Sequence, residues 1–333
     1  MKINNNTTKA NNTPTNKQQT KAISNENNSL PNTNLKPTVN TPPDSKNNKF
    51  NKLPKFKTCT ALITPFTQNN KIDYVALKKM IEYQISNNID AILLLGTTGE
   101  GATITSKERK DIITFAVKLI NKRCIVLVGT GANSTTTAVK LTKQAKNLGA
   151  DGAVIVTPFY NKCTQLGLIT HYKAINKIGL PFIVYNVPSR TGLNISPTTL
   201  LQLEKLNNMI GTKEASGDLN QILQLLNCHT KPVYSGNDKF NNLFIAHGGD
   251  GCISVASNLV PNLIVEQFKE KIKSLEIHNK LFNLNNGLFC EVNPIPIKYA
   301  MHKFGFCKNI VRKPLTKLTK ENAEKILKTL KKL

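Results

Sequence analysis

Eight short β-rich runs, each followed by apolar residues at helical spacing, predict an α/β protein: a (β/α)8 TIM barrel with a C-terminal helical extension. The runs are 60–63, 91–95, 124–128, 153–156, 182–185, 209–213, 232–234 and 252–255. Together they occupy roughly 200 residues, which matches a small barrel of this kind. A doubly wound open sheet is the competing fold, and it usually carries a glycine fingerprint after its first strand. Here the first run ends in Ile63-Thr64-Pro65, without one.

The helices between the runs carry their own signals. Asp73 is a good N-cap, and Leu77, Met80, Ile81 and Ile85 follow it at helical spacing. Thr105 and Glu108 form a capping box ahead of Ile112, Ile113, Ala116, Val117 and Ile120. Ser134 opens a helix that Gly149 stops. Beyond residue 260, Ile264, Phe268, Ile272 and Leu275, and later Ile326, Leu327 and Leu330, supply more helical pattern than a closing barrel needs. The expected organisation is a leader at 1–55, a barrel at 56–260 and the extension at 261–333.

The leader differs in kind. Asn, Thr, Lys and Pro dominate it, and its sparse apolar residues show no period. Such a composition buries too little surface to offset the entropy of ordering, so disorder is expected. It carries a net charge of +7. A basic, acid-poor leader also suits an organelle transit peptide, although it has no Arg, few Ser and no amphipathic helix. No apolar stretch resembles a secretory signal, and no run approaches the ~20 apolar residues of a membrane-spanning helix.

The formal charge of +25 invites a nucleic-acid reading. Yet 41 of the 45 basic residues are Lys and only four are Arg, namely Arg109, Arg123, Arg190 and Arg312. The planar fork that reads phosphate and guanine belongs to Arg. With Lys spread along most helix faces, nucleic acid is not an expected partner. The seven cysteines are scattered, with no C-x-x-C pair, which points to a reducing compartment. That means the cytoplasm, or a plastid if the leader is a transit peptide. The five His residues show no ligand spacing, so no metal site is read.

In a barrel of this type, chemistry gathers at the C-terminal strand ends. Strand two ends in Gly96-Thr97-Thr98-Gly99-Glu100 and strand three in Gly129-Thr-Gly-Ala-Asn133. Strand four runs into Thr157-Pro-Phe-Tyr-Asn161, and strand five into Tyr185-Asn-Val-Pro-Ser-Arg-Thr-Gly192. Strand six ends in Lys213-Glu-Ala-Ser216, and strand seven in Ser235-Gly236-Asn-Asp238. Lys213 follows Met209-Ile-Gly-Thr212, so it projects either into the barrel mouth or along the surface as an ordinary snorkelling lysine. In the mouth, desolvation would make its amine a usable nucleophile. The Gly96–Gly101 loop lacks the Gly-Lys-Ser/Thr of a nucleotide P-loop. Its N–H groups, with Thr97 and Thr98, either hold a small carboxylate or form a structural turn. Taken in isolation, Tyr160 and Tyr185 read as core aromatics sooner than as site residues. Arg190, a rare Arg in a Pro-Ser-Arg-Thr-Gly turn, suggests a bidentate carboxylate contact.

Taken together with Gly251-Cys-Ile-Ser-Val255 and Asn293-Pro-Ile-Pro-Ile-Lys298, these segments resemble the dihydrodipicolinate synthase family, in family order over about residues 57–333. The resemblance implies a Schiff base between Lys213 and pyruvate, whose enamine attacks L-aspartate 4-semialdehyde. It makes Tyr185 the proton donor and acceptor and Thr97 the relay, with Tyr160 reaching in from a neighbouring subunit. Thr98 would hold the pyruvate carboxylate and Arg190 that of the semialdehyde. The Ile253 carbonyl would face the lysine amine, and Gly236 would border the substrate. No cofactor is implied, because a protonated imine is itself an electron sink. A homotetramer of two tight dimers is implied as well.

This sequence departs from the family pattern at Thr212, Ser216 and Phe159. It also departs where family members under feedback control bind lysine. Those members use a Glu, two His and a Tyr at positions that here hold Thr137, Ser106, Arg109 and Phe159, with only Asn133 kept. Weak or absent lysine inhibition is therefore expected. Two other readings stay open at this level. N-acetylneuraminate lyase and 2-keto-3-deoxy-sugar-acid aldolases share the barrel, lysine and tyrosine, and Arg190 argues against their polyhydroxylated substrates. A lysine-rich nucleic-acid-binding or scaffold protein on a degenerate barrel would not need Lys213, Tyr185 and Thr97 together.

Overall fold

The computed structural model describes residues 53–331, so nearly all of the leader expected to be disordered lies outside the described residues. Strands and helices alternate from β1 (Thr58–Ala61) through α1 (Tyr74–Ser86), β2 (Ala91–Leu94), α2 (Ser106–Ile120), β3 (Ile125–Gly129) and α3 (Thr135–Asn147). They continue with β4 (Gly152–Val156), α4 (Gln165–Asn176), β5 (Phe182–Asn186), the short α5 (Pro188–Thr191), α6 (Pro197–Leu203) and β6 (Met209–Glu214). The barrel finishes with α7 (Leu219–Cys228), β7 (Val233–Ser235), α8 (Asn241–Ala246) and β8 (Gly251–Ser254). Four more helices follow: α9 (Pro261–Lys269), α10 (Ser274–Gly287), α11 (Ile295–Lys303) and α12 (Lys320–Leu330).

The eight strands are parallel and close in sequence order, β1 pairing with β8. All eight expected runs are strands, shifted at most by two residues. They read as continuous apolar runs because both faces are covered. One face fills the barrel interior, where Cys59, Leu93, Leu127, Val154, Ile183 and Ile253 pack together with Phe56 and Tyr234. Phe56 and Tyr234 stack with ring centroids 4.5 Å apart. The other face, with Ile92, Val128, Ile155 and Val184 among it, packs under the helices. Leu53, the first described residue, leans on the interior cluster.

The local signals do what their chemistry requires. Asp73 accepts from the Ala76 amide, and Thr105 and Glu108 complete a reciprocal capping box. Ser134 stands at the N-cap of α3, but its side chain makes no capping bond. Gly149 takes φ +86° just past α3, a conformation that a Cβ would oppose. Among the described residues, no helix is long and apolar enough to cross a membrane.

One irregularity decides which way strand six faces. Phe182 pairs with Met209, yet Ile183 pairs with Gly211, so Ile210 is an extra residue in β6. Met209 packs outward and Ile210 inward. The slip then lets Lys213 align with the inward Tyr185 while Thr212 aligns with the outward Val184. Thr212 is buried there, and its hydroxyl has no partner. An unsatisfied buried hydroxyl costs about 1–3 kcal/mol. Thr212→Val is therefore expected to stabilise the protein by an amount in that range, read as a higher urea midpoint at unchanged m.

Candidate active site

The barrel mouth collects the candidate residues from separate strand ends. Lys213 lies on β6 between its register partners Tyr185 on β5 and Tyr234 on β7. It is 5% exposed, and its Nζ sits 4.3 Å from the centroid of the Tyr185 ring. The contact places the cation against the electron-rich ring face. Gly236 makes the room. A Cβ there would come within 3.0 Å of Lys213 Cε and 2.8 Å of the Ala215 methyl, so only glycine admits this lysine chain. Ile253, on β8, closes the interior beside Cys59, its register partner on β1. Burial pushes the Cys59 and Cys252 thiols well above the usual range, with Lys213 pulling the other way, so both act as small apolar residues.

Beneath the mouth, Glu214 anchors the start of the loop after β6. Its carboxylate accepts from Asn186 Nδ2 at 3.0 Å, Gln221 Nε2 at 3.2 Å and the Ser216 amide at 2.5 Å. These bonds fix the loop that follows the lysine, and sequence reading assigned Glu214, Asn186 and Gln221 no role. A buried carboxylate directly after a candidate lysine was the available signal, since such a group needs partners.

The Gly96–Gly101 loop holds Thr97 exposed and Thr98 buried. Leu95 (φ +56°) and Glu100 (φ +52°) flank it, both left-handed without being glycine. Such residues cost on the order of 1 kcal/mol or more each and persist only where the surroundings hold them. The hold is visible at Glu100. Its carboxylate pairs with Lys298 of α11 at 2.5 Å and accepts from the Arg312 amide at 2.9 Å. Lys298 is fully buried, lies 3.9 Å from the Phe66 ring centroid and donates to the Ile310 carbonyl at 2.7 Å. Desolvation lowers its pKa to about 8, with Glu100 opposing the fall. The Arg312 guanidinium covers the same ring at 4.4 Å and pairs with Glu108, whose carboxyl it holds down at about 2. The C-terminal segment thus locks the second βα loop. The Pro-Ile-Lys298 stretch was legible as a motif, but nothing in it named Glu100 as the partner.

Arg190 lies on α5, exposed, and its Nη2 donates to the Asn293 carbonyl at 3.4 Å. The Asn293 side chain in turn donates to Thr98 Oγ1 at 2.9 Å. Tyr160 stands apart. It is 90% exposed at φ +72° in the loop after β4, not folded back over its own barrel. Among the described residues, none hydrogen-bonds to Lys213 Nζ or to the hydroxyls of Tyr185, Thr97 and Tyr160. The four strongest candidates therefore retain their donor and acceptor capacity. No group of three or more His, Cys, Asp or Glu suited to a metal ion occurs among the described residues. One cavity of about 850 Å³ is lined by residues of the C-terminal segment such as Ile310, Pro314 and Leu315, and not by residues of the strand ends.

A buried lysine at the end of a barrel strand, set against a tyrosine ring, defines the class of barrel enzymes that form imines with keto acids. The match is specific. The model of the dihydrodipicolinate synthetase family covers residues 55–333, and this chain belongs to that family. A 4-hydroxy-tetrahydrodipicolinate synthase of Alkaliphilus oremlandii is 46% identical over 82% of this chain and 96% of its own. The structure of the chloride-inhibited dihydrodipicolinate synthase of Acinetobacter baumannii complexed with pyruvate superposes with a TM-score of 0.82 at 39% identity, covering 84% of this chain and 99% of that one. The lysine-bound enzyme of Cyanidioschyzon merolae gives 0.81 at 32% identity, over 83% and 97% of the two chains.

Proposed function

We propose that this chain is a Schiff-base-forming lyase that condenses pyruvate with L-aspartate 4-semialdehyde to 4-hydroxy-tetrahydrodipicolinate, in lysine and diaminopimelate biosynthesis. The observation that carries the reading is the buried Lys213, set against the Tyr185 ring at the end of β6 in a chain of this family. Its amine adds to the pyruvate ketone and water leaves, giving the imine. Loss of a methyl proton gives the enamine, whose carbon attacks the aldehyde. The semialdehyde amine then displaces the lysine as the ring closes. Tyr185 gives and takes the protons at the imine carbon, Thr97 relays them, and Tyr160 completes the relay in a neighbouring copy. Thr98 binds the pyruvate carboxylate and Arg190 that of the semialdehyde. The Ile253 carbonyl faces the amine, and Gly236 borders the substrate. Borohydride reduction in the presence of pyruvate should fix a three-carbon mass on Lys213, and labelling elsewhere, or none, would refute the mechanism.

The Arg190 role has its own signature. Losing a charge-assisted contact costs about 1.5–3 kcal/mol, roughly tenfold to a hundredfold in affinity. Arg190→Ala is expected to raise the KM for the semialdehyde by that factor and to spare pyruvate trapping. An equal loss of both would make Arg190 structural.

Assembly belongs to the proposal: a homotetramer made of two tight dimers. It is supported by Tyr160, which is exposed here and needs a second copy to meet an active site, and by the exposed apolar Leu219 and Phe282. Sedimentation velocity at assay concentration checks it, and a fully active monomer would remove Tyr160 from the relay. Soluble action in the cytoplasm is part of the same reading.

Free lysine is expected to inhibit weakly, with half-inhibition above about 1 mM, equivalent to roughly −4 kcal/mol. Its ammonium needs an acidic partner, and Thr137 and Ser106 supply none. Arg109 adds a like charge; its guanidinium is buried and donates to the Gly129 carbonyl at 2.8 Å. Glu108 is already committed to its capping box and to Arg312. Inhibition curves at fixed pyruvate read the effect, and sub-millimolar inhibition would contradict it.

A further inference from the structure

The two carboxylate-binding candidates come from different loops, Thr98 after β2 and Arg190 after β5, yet one residue touches both. Asn293, just before α11, donates from Nδ2 to Thr98 Oγ1 at 2.9 Å. Its backbone carbonyl accepts from Arg190 Nη2 at 3.4 Å. Asn293 is 6% exposed, and its Oδ1 is buried without a partner. Leaving an amide oxygen orphaned is unfavourable, so the contact that Nδ2 makes must be worth keeping.

We infer that Asn293 is a positioning residue that sets the direction of the Thr98 hydroxyl proton. The inference rests on the role proposed above for Thr98. A hydroxyl has one proton and two lone pairs, whereas an amide nitrogen brings only protons. With Nδ2 occupying a lone pair of Thr98 Oγ1, the Thr98 proton must point elsewhere. It becomes a donor for an incoming carboxylate, and the Asn293 bond polarises it in the favourable sense. The arrangement also ties the pyruvate subsite to the guanidinium that receives the second substrate. Because the Arg190 contact runs through the backbone carbonyl, a side-chain change at Asn293 separates the two subsites.

Asn293→Asp is the decisive variant. It keeps the size and replaces the donor with an acceptor, which captures the Thr98 proton and sets a negative charge beside the carboxylate site. Borohydride trapping, titrated with pyruvate, gives the half-saturation directly. Asn293→Asp is expected to raise it about tenfold to a hundredfold. The kcat at saturating pyruvate and the KM for the semialdehyde should each stay within roughly threefold. The shift should shrink severalfold when Thr98→Val is already present, leaving only the repulsion by the new charge, which a merely structural role for Asn293 would not produce. Asn293→Leu, of similar size and without polar atoms, is the second variant should the aspartate fail to fold. It is expected to raise half-saturation severalfold, and only in the presence of Thr98. Unchanged half-saturation in the folded variant, or an equal shift in the Thr98→Val background, overturns the inference while leaving the proposed reaction intact. Failure of the unaltered protein to trap pyruvate at all overturns both.

Discussion

Lys213→Met is expected to lower kcat/KM for the condensation by about a thousandfold or more, at least about 4 kcal/mol in the barrier. Methionine keeps the length and the apolar stem of the side chain, so the narrow path past Gly236 and the Tyr185 ring remains filled. What disappears is the nucleophile, and with it the covalent step that divides one difficult carbon–carbon bond formation into easier ones. Stability should be unchanged or rise, because a buried cation is replaced by an apolar group. Lys213→Arg is the informative companion: the charge persists, but a guanidinium does not deprotonate to attack a ketone. Both variants should fold with native circular dichroism and fail to trap pyruvate. A Lys213→Met protein with even a tenth of normal activity would exclude the imine.

Lys298→Met is expected to destabilise the fold by about 3–5 kcal/mol, because it leaves the Glu100 carboxylate buried without its cation. Replacing both partners tests the cause. In Lys298→Met/Glu100→Gln no uncompensated charge remains, and most of the loss should return. Denaturant unfolding of the two single variants and the double variant reads the coupling, and strict additivity would show that the pair does not interact. The single variant should also raise the KM for pyruvate, since the left-handed Leu95 and Glu100 that bracket Thr97 and Thr98 lose their restraint. Stability and substrate binding are thereby linked through one buried ion pair. The C-terminal helices serve as more than a cover for the barrel, because Lys298, Arg312 and Asn293 all reach back to the second βα loop.

Much of this was legible in the amino-acid sequence alone. The apolar runs encoded the eight strands because strands covered on both faces must be apolar throughout. The capping box at Thr105 and Glu108, the Asp73 cap and the Gly149 stop encoded helix ends because each acts within a few residues of itself. The motif order encoded the family, and with it the candidate chemistry at Lys213, Tyr185 and Thr97. Tertiary structure alone decided what depends on distant partners. The extra residue at Ile210 turns Lys213 into the barrel, and an alternating pattern read from Met209 would have turned it outward. The partner of Glu100 lies almost two hundred residues along the chain, as does that of Thr98. Sequence periodicity records which face of an element is apolar, but it holds no record of which polar groups meet across closed space. The barrel brings its ends together and so selects those pairs, and desolvation there makes each pairing costly to lose.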